Sequence, residues 1–252
     1  MTTIDGVRRP HATQPPLHLL TILRQALTLS HRCLLPGLAI GVSAEVLIEI
    51  SAVFAPDDPV PPTLSLEEAF SLLLDSLARI GILLIVASMH VAALTSLGLV
   101  AMRDETPRVM QALRQATSRI IPVAAVLLIV GAALLFGTVA LIVPGIWLCG
   151  VFAVVMPVVM VDGTILGALR RSAALTKGYR WPIAFLMVIL LVLFTILTQG
   201  AGLLAGALND IAFGVGYPVA WLVSAWCALL AAQIAVALYL ELLSLSWSAD
   251  TA

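Results

Sequence analysis

The chain has 252 residues, of which 61% are hydrophobic and only 11% are charged. Soluble domains hold about 45–50% apolar and about 25% charged residues, so this composition excludes a water-soluble fold and implies a lipid solvent. The net charge of −1 excludes little by itself; what matters in such a chain is where the charges fall.

Residues 1–16, MTTIDGVRRPHATQPP, are polar and proline-bearing, with no apolar stretch before a small-residue cleavage site. They read as a disordered cytoplasmic tail, not a signal peptide. Residues 17–248 then read as one six-span membrane domain. The spans are expected over roughly 33–54, 80–102, 120–143, 146–161, 181–207 and 218–244, each near the ~20 residues a bilayer requires. All should be α-helices, because lipid offers backbone polar groups no other partner. The Pro144-Gly145 pair predicts a tight turn between spans three and four. Small residues in and after span five (Gly200, Gly202, Ala205, Gly206, Gly214, Gly216) allow close helix approach, the default reading, or a flexible outer hairpin.

The connection 55–79 opens with PDDPVPP, whose prolines stop span one. It continues as LSLEEAFSLLLDSLARI, where Ser65 with Glu68 fits a capping box. Leu66, Phe70, Leu73, Leu74 and Leu77 mark an amphipathic stripe. A helix on the outer leaflet, a cap on the bundle and a docking surface are all open readings of this segment.

With the spans so drawn, twelve of the 13 basic residues share one side. Arg8, Arg9, Arg24 and Arg32 precede span one; Arg103, Arg108, Arg114 and Arg119 join spans two and three; Arg170, Arg171, Lys177 and Arg180 join four and five. Arg79 is the exception. The positive-inside rule puts both termini in the cytoplasm. Trp147, Trp181, Tyr217, Trp221 and Trp247 near span ends fit an aromatic belt.

The three basic segments resemble one another: LTILRQALTLSHRCLLPG, VMQALRQATSRIIPVA and LGALRRSAALTKGYRWPI. Each has a Leu-Arg pair, a further basic residue and then a proline (Pro36, Pro122, Pro182) inside the next span. Apolar residues recur at helical spacing opposite the charges, the pattern of a helix lying in the headgroup plane. The expected fold class is therefore all-α integral membrane: six transmembrane helices with three cytoplasmic amphipathic elbow helices, as a threefold repeat of elbow plus hairpin.

The stretch PGIWLCGVFAVVMPVVMVDGTILGALRRSAALTKGYRWPIAFLMVI carries the most specific pattern. Its Pro144-Gly145-Ile146-Trp147, Pro157, Asp162-Gly163, Ala168 to Ser172, Leu175 to Gly178 and Trp181 resemble the membrane-domain family named after glycerophosphoryl diester phosphodiesterases, and related YciC-like bacterial proteins. The aromatic residue this family carries after the serine is Ala173 here. The resemblance implies a six-span bacterial inner-membrane protein. It does not carry the enzymatic name over, since the clustered His, Glu and Asp of the phosphodiesterase barrel have no counterpart in the sequence.

Two sets of polar residues are candidate sites. Glu45 and Glu49 stand one turn apart in span one, and Glu45 falls at the depth of His90 in span two. A carboxylate in hydrocarbon costs about 2.5–3.5 kcal/mol or more, so such groups face the bundle interior. A Glu45–His90 pair would be a proton path or buried structural glue. Gln199 and Gln233 are expected as interhelical hydrogen-bond partners. The second set, Arg24, Arg32, Arg114, Arg119, Arg170, Arg171, Lys177 and Arg180, could gather as a basic ring holding phospholipid headgroups, or serve topology alone. Asp162 is expected to cap the third elbow.

The sequence has no P-loop, nucleophile elbow, zinc spacing or nucleic-acid motif. His11, His18 and His31 share no ligand spacing, and Cys33, Cys149 and Cys227 form no CxxC. The expectation is a non-enzymatic protein without metal or cofactor, whose partners are membrane lipids, anionic phospholipid among them, with a protein partner or homo-oligomer also open and nucleic acid excluded. Its leading role is binding, organising or moving lipid-like or amphipathic molecules, or supporting membrane homeostasis. A proton-coupled transporter using Glu45 and His90, and a scaffold or accessory subunit, are the alternatives.

Overall fold

The computed structural model describes residues 17–53, 65–103, 106–140, 142–211 and 216–250. The expected tail 1–16, the proline run 56–62 and Gly214 lie outside the described residues. Among the described residues the structure is all α, with no strand. The elements are α1 (Leu19–Arg32), α2 (Leu34–Val53), α3 (Leu66–Ala101), α4 (Val109–Ser118), α5 (Ile120–Ala140), α6 (Ile142–Phe152), α7 (Val155–Asp162), α8 (Ile165–Leu175), α9 (Arg180–Ile211) and α10 (Gly216–Asp250). Five segments are long and apolar enough to cross a membrane: α3, α5, α6 with α7, α9 and α10. A sixth is counted if α1 and α2, bent by 81° at Cys33, supply one. This is the helix inventory of a multi-pass membrane protein.

The helices pack in two shells. α3, α7 and α10 touch one another, while α2, α5 and α9 lie outside them, each bridging two neighbours. The inner contact is dry and filled: Leu94, Leu97, Val154, Val158, Ile234 and Leu238 are each at most 1% exposed. Lipid gives little hydrophobic drive to such packing, so van der Waals contact between close backbones must hold it. α2 and α10 approach closely. A Cβ at Gly41 would stand 2.5 Å from Ala225 Cβ and 2.9 Å from its Cα, and one at Gly37 would stand 2.6 Å from Leu229 Cδ1. Gly37 and Gly41 form a GxxxG pair, whose absent side chains let the helices meet. Gly200, Gly202 and Gly206, where close approach was expected, face open space with nothing within 4 Å. Among the described residues of that run, Gly216 packs tightly, against the Ala205 carbonyl.

Each short amphipathic helix lies on a helix of the inner shell. α4 packs on α3, α8 packs on α7, and α1, which follows no described span, packs on α10. Side chains fasten these contacts. The Ser96 hydroxyl donates to the Ala112 carbonyl at 3.3 Å. Buried Ser172 of α8 and Thr176, its C-cap, donate to the Val151 carbonyl at 2.8 and 3.4 Å. Val151 lies just before the α6–α7 break, which Pro157 explains: a proline in the first turn of α7 has no N–H, and its ring crowds the carbonyl four residues back, at Ala153. Hydroxyls commonly satisfy backbone groups near such breaks.

Two boundaries differ from expectation. α5 ends at Ala140 and α6 begins at Ile142, so the reversal precedes Pro144-Gly145. Pro144 sits in the first turn of α6, where its missing N–H costs nothing, and Gly145 packs on α5: a Cβ there would lie 2.5 Å from Thr138 Cγ2. The second difference is larger. The amphipathic stretch from Leu66 is continuous with span two in one 36-residue helix. At 1.5 Å per residue α3 is about 54 Å long, against a hydrocarbon core of about 30 Å. No proline interrupts it, and Gly81 alone does not stop a helix. Leu66, Phe70, Leu73, Leu74 and Leu77 are exposed along this stem. Ser65 stands at the N-cap position, as expected; the Glu68 side chain lies outside what the structure describes.

Candidate functional site

The amphipathic helices share one register. The residue before each Leu-Arg pair (Ile22, Ala112, Ala168) and the residue two after it (Ala26, Ala116, Ser172) are at most 1% exposed. Three positions before each Leu stands an exposed apolar side chain: Leu20 at 84%, Met110 at 77% and Leu166 at 64%. The arginines Arg24, Arg114 and Arg170 are exposed as well. Each pair (Leu20 and Arg24, Met110 and Arg114, Leu166 and Arg170) is spaced i, i+4, so it lies on one outward face. Each helix thus fastens to the bundle through buried residues, small ones in α4 and α8 and Ile22 with Ala26 in α1, and presents a large apolar group one turn from a guanidinium. Such a face fits the boundary between acyl chains and headgroups.

The remaining basic residues take different roles. Lys177 is exposed. Arg32 reaches towards the Ala101 carbonyl, Nη1 to O 3.4 Å. Arg171 pairs with Asp162 at 2.6 Å. Arg180 donates through Nη2 to the Ala173 carbonyl at 3.0 Å and lies 4.8 Å from the Trp147 ring centroid. Arg171 and Arg180 are thus engaged with protein groups. Asp162 does not cap α8, as the sequence had it do. It ends α7, Gly163 follows in the left-handed conformation at φ 72°, and Thr164 takes the N-cap position. The carboxylate is thereby free to meet Arg171. Arg119, just before α5, lays its guanidinium over Gly163, in the space a Cβ would fill.

The intramembrane polar residues are brought together only in part. Glu45, half-buried on α2, accepts a hydrogen bond of 2.5 Å from Ser224 on α10. His90 lies close enough for Glu45 to act on it electrostatically, yet its Nε2 is buried without a partner. With Ser43, Ala44 and Met89 it lines a mostly apolar crevice of about 300 Å³ between α2 and α3. Glu49 is exposed. Gln233, fully buried, donates through Nε2 to the Leu94 carbonyl at 3.1 Å, joining α10 to α3 as expected. Its Oε1 has no partner and sits in the space left by Gly98. Gln199 is exposed on α9 and joins no other helix among the described residues, because its face of α9 points out of the bundle.

Two residues escaped the candidate set. Ser224 had no sequence signal beyond being a hydroxyl in an apolar run. Arg103 did have one, a basic residue directly after a span; with Arg119 it lines a cleft of about 290 Å³ where the ends of α3, α4 and α7 converge. Among the described residues, no group of three or more His, Cys, Asp or Glu is placed to hold a metal. No protein-family model, curated protein or solved structure matches this chain.

Proposed function

We propose that this is a non-enzymatic, six-span membrane protein of the bacterial inner membrane that binds and organises anionic lipid-like molecules through three cytoplasmic elbow helices. In this reading α1, α4 and α8 are the elbows of a threefold repeat, each followed by an outer and an inner span, and both termini are cytoplasmic. The chain's resemblance to the phosphodiesterase-associated membrane domains and the YciC-like proteins belongs to the same proposal. The observation that carries it is the shared outward face: Leu20 with Arg24, Met110 with Arg114, and Leu166 with Arg170. Supporting the repeat are the common register of buried residues and the seating of each elbow on the preceding inner span, with α1 on α10 completing the cycle.

A basic residue near an anionic leaflet contributes about 1 kcal/mol. Replacing Arg24, Arg114 and Arg170 together by Gln should therefore reduce the preference of the protein's boundary for phosphatidylglycerol over phosphatidylcholine by at least about tenfold. Spin-labelled lipids in reconstituted vesicles read that preference directly. An unchanged ratio in a folded triple variant would remove the elbows from the account.

A second reading, proton-coupled transport of a small molecule, rests on one observation: the unpartnered Nε2 of His90 near Glu45. Leaving a buried polar atom unpaired costs about 1–3 kcal/mol, and a proton or a polar ligand at this position would offset that cost. Glu45→Gln should then abolish substrate-driven proton uptake by proteoliposomes while leaving the fold intact; uptake that survives would retire this reading.

A further inference from the structure

The cleft at the converging ends of α3, α4 and α7 has the composition of a headgroup site. Its rim carries Arg103, Gln115, Ser118 and Arg119, and its floor includes Val100 and Met160. Neither guanidinium has a hydrogen-bond or ion-pair partner among the described residues. Two free guanidinium groups and an amide make a donor set suited to a phosphate, and guanidinium groups bind phosphate oxygens in pairs; the Ser118 hydroxyl already donates to the Gln115 carbonyl at 2.8 Å. The apolar floor adds a surface that a free anion has no use for but an acyl-bearing ligand does. At about 290 Å³ the cleft stands at the lower edge of the ~300–1,000 Å³ of small-molecule pockets, so it takes a headgroup rather than a whole lipid.

We infer that this cleft binds the phosphate of a single anionic phospholipid headgroup, held by Arg103 and Arg119. The inference rests on the reading of the chain as a lipid-binding membrane protein. It adds to the elbow faces a defined site with one occupant. The backbone helps place the donors. Arg119 directly precedes α5, so it stands beside a helix N-terminus, and its guanidinium is positioned over Gly163, where any side chain would displace it. The opposing account is that Arg119 merely offsets the carbonyl end of α7 and Arg103 that of α3, as basic residues at helix C-termini do.

The test is native mass spectrometry of the full chain in detergent, titrated with phosphatidylglycerol, phosphatidylcholine or soluble glycerol 3-phosphate. One phosphatidylglycerol should be retained at declustering energies that strip the others. Arg103→Gln and Arg119→Gln should each weaken that retention by about tenfold or more, with phosphatidylcholine bound no better than to either variant. Ser118→Trp keeps both charges but fills the cleft, and should weaken retention as much; it guards against a loss caused by misfolding at Arg119. Displacement of the lipid by glycerol 3-phosphate at matched concentration would assign the site to free phosphate esters and overturn the lipid assignment. Full retention in all three folded variants would leave the arginines as helix-end counter-charges and overturn the site itself. The boundary-lipid preference of the elbow variants is a separate readout. If it persists while the tight site fails, the cleft alone is refuted; if both fail, the lipid-binding reading falls with it.

Discussion

The α2–α10 crossing gives a sharp test of the packing. Substituting Gly41→Ala would place a methyl 2.5 Å from Ala225 Cβ and 2.9 Å from Ala225 Cα. Carbon atoms rest at about 3.5–4.0 Å, so the helices must part by about 1–1.5 Å at this point. No rotamer change can absorb the clash, because both groups are fixed to helical backbone. Overpacking of this kind costs about 1–3 kcal/mol. The separation also acts one turn away, where Glu45 holds Ser224 at 2.5 Å. Gly202→Ala is the matched control: it lies in α9, meets nothing within 4 Å, and replaces a residue whose helical form is unfavourable by about 0.5–1 kcal/mol relative to Ala. Unfolding both variants in mixed micelles by titration with sodium dodecyl sulfate should find Gly41→Ala less stable than Gly202→Ala by about 1–3 kcal/mol. Equal stabilities would refute the crossing, and with it the placement of α2 against the inner shell.

Other expectations follow from single contacts. Ser172→Ala should destabilise the protein by about 1 kcal/mol, with faster hydrogen exchange confined to α8, since the Val151 carbonyl then keeps only the 3.4 Å contact with Thr176; exchange that rises uniformly would count against this anchor. Asp162→Asn should cost less than about 1 kcal/mol and lose its effect in high salt, because the Arg171 and Asp162 side chains are 41% and 22% exposed. A larger, salt-insensitive loss in the same unfolding titration would contradict that. Gly163→Ala should cost about 1–2 kcal/mol through its left-handed backbone and also weaken retention of the tightly held lipid, because Arg119 must move. Normal retention in a destabilised Gly163→Ala protein would separate Gly163 from the cleft.

Much of the helix inventory was readable from the sequence because lipid permits few solutions. A run such as 120–140 or 181–207 has to be a helix once composition places it in hydrocarbon. The Leu-Arg pairs pointed to α1, α4 and α8, but the face each helix buries was not legible: Ala26, Ala116 and Ser172, two residues after each pair, carry no signal beyond small size. What was misread had two valid local meanings. Pro144-Gly145 is good turn chemistry, yet it is equally good as a first-turn proline followed by a packing glycine, and the neighbouring Thr138 decides. Leu66 to Leu77 has the stripe of an interfacial helix, but without a breaker it runs straight on into span two. Gly37 and Gly41 were overlooked in favour of the denser glycines of α9, because close approach depends on which helix lies opposite and the sequence does not print that. Asp162 lost its expected cap for a similar reason: nine residues on, Arg171 comes within 2.6 Å only once α8 folds back along α7. Arg103 entered the candidate cleft in the same way, through a reversal that brings the ends of α3 and α4 together.

The central claim, that the elbows grip anionic lipid, is tested most directly by extracting the protein gently from its own membrane and analysing the lipid that comes with it. The account predicts co-purified phospholipid enriched in anionic species over the bulk membrane, and an enrichment lost when Arg24, Arg114 and Arg170 are all changed to Gln. Lipid of bulk composition in the wild-type protein, or an enrichment that the triple variant keeps, would contradict it.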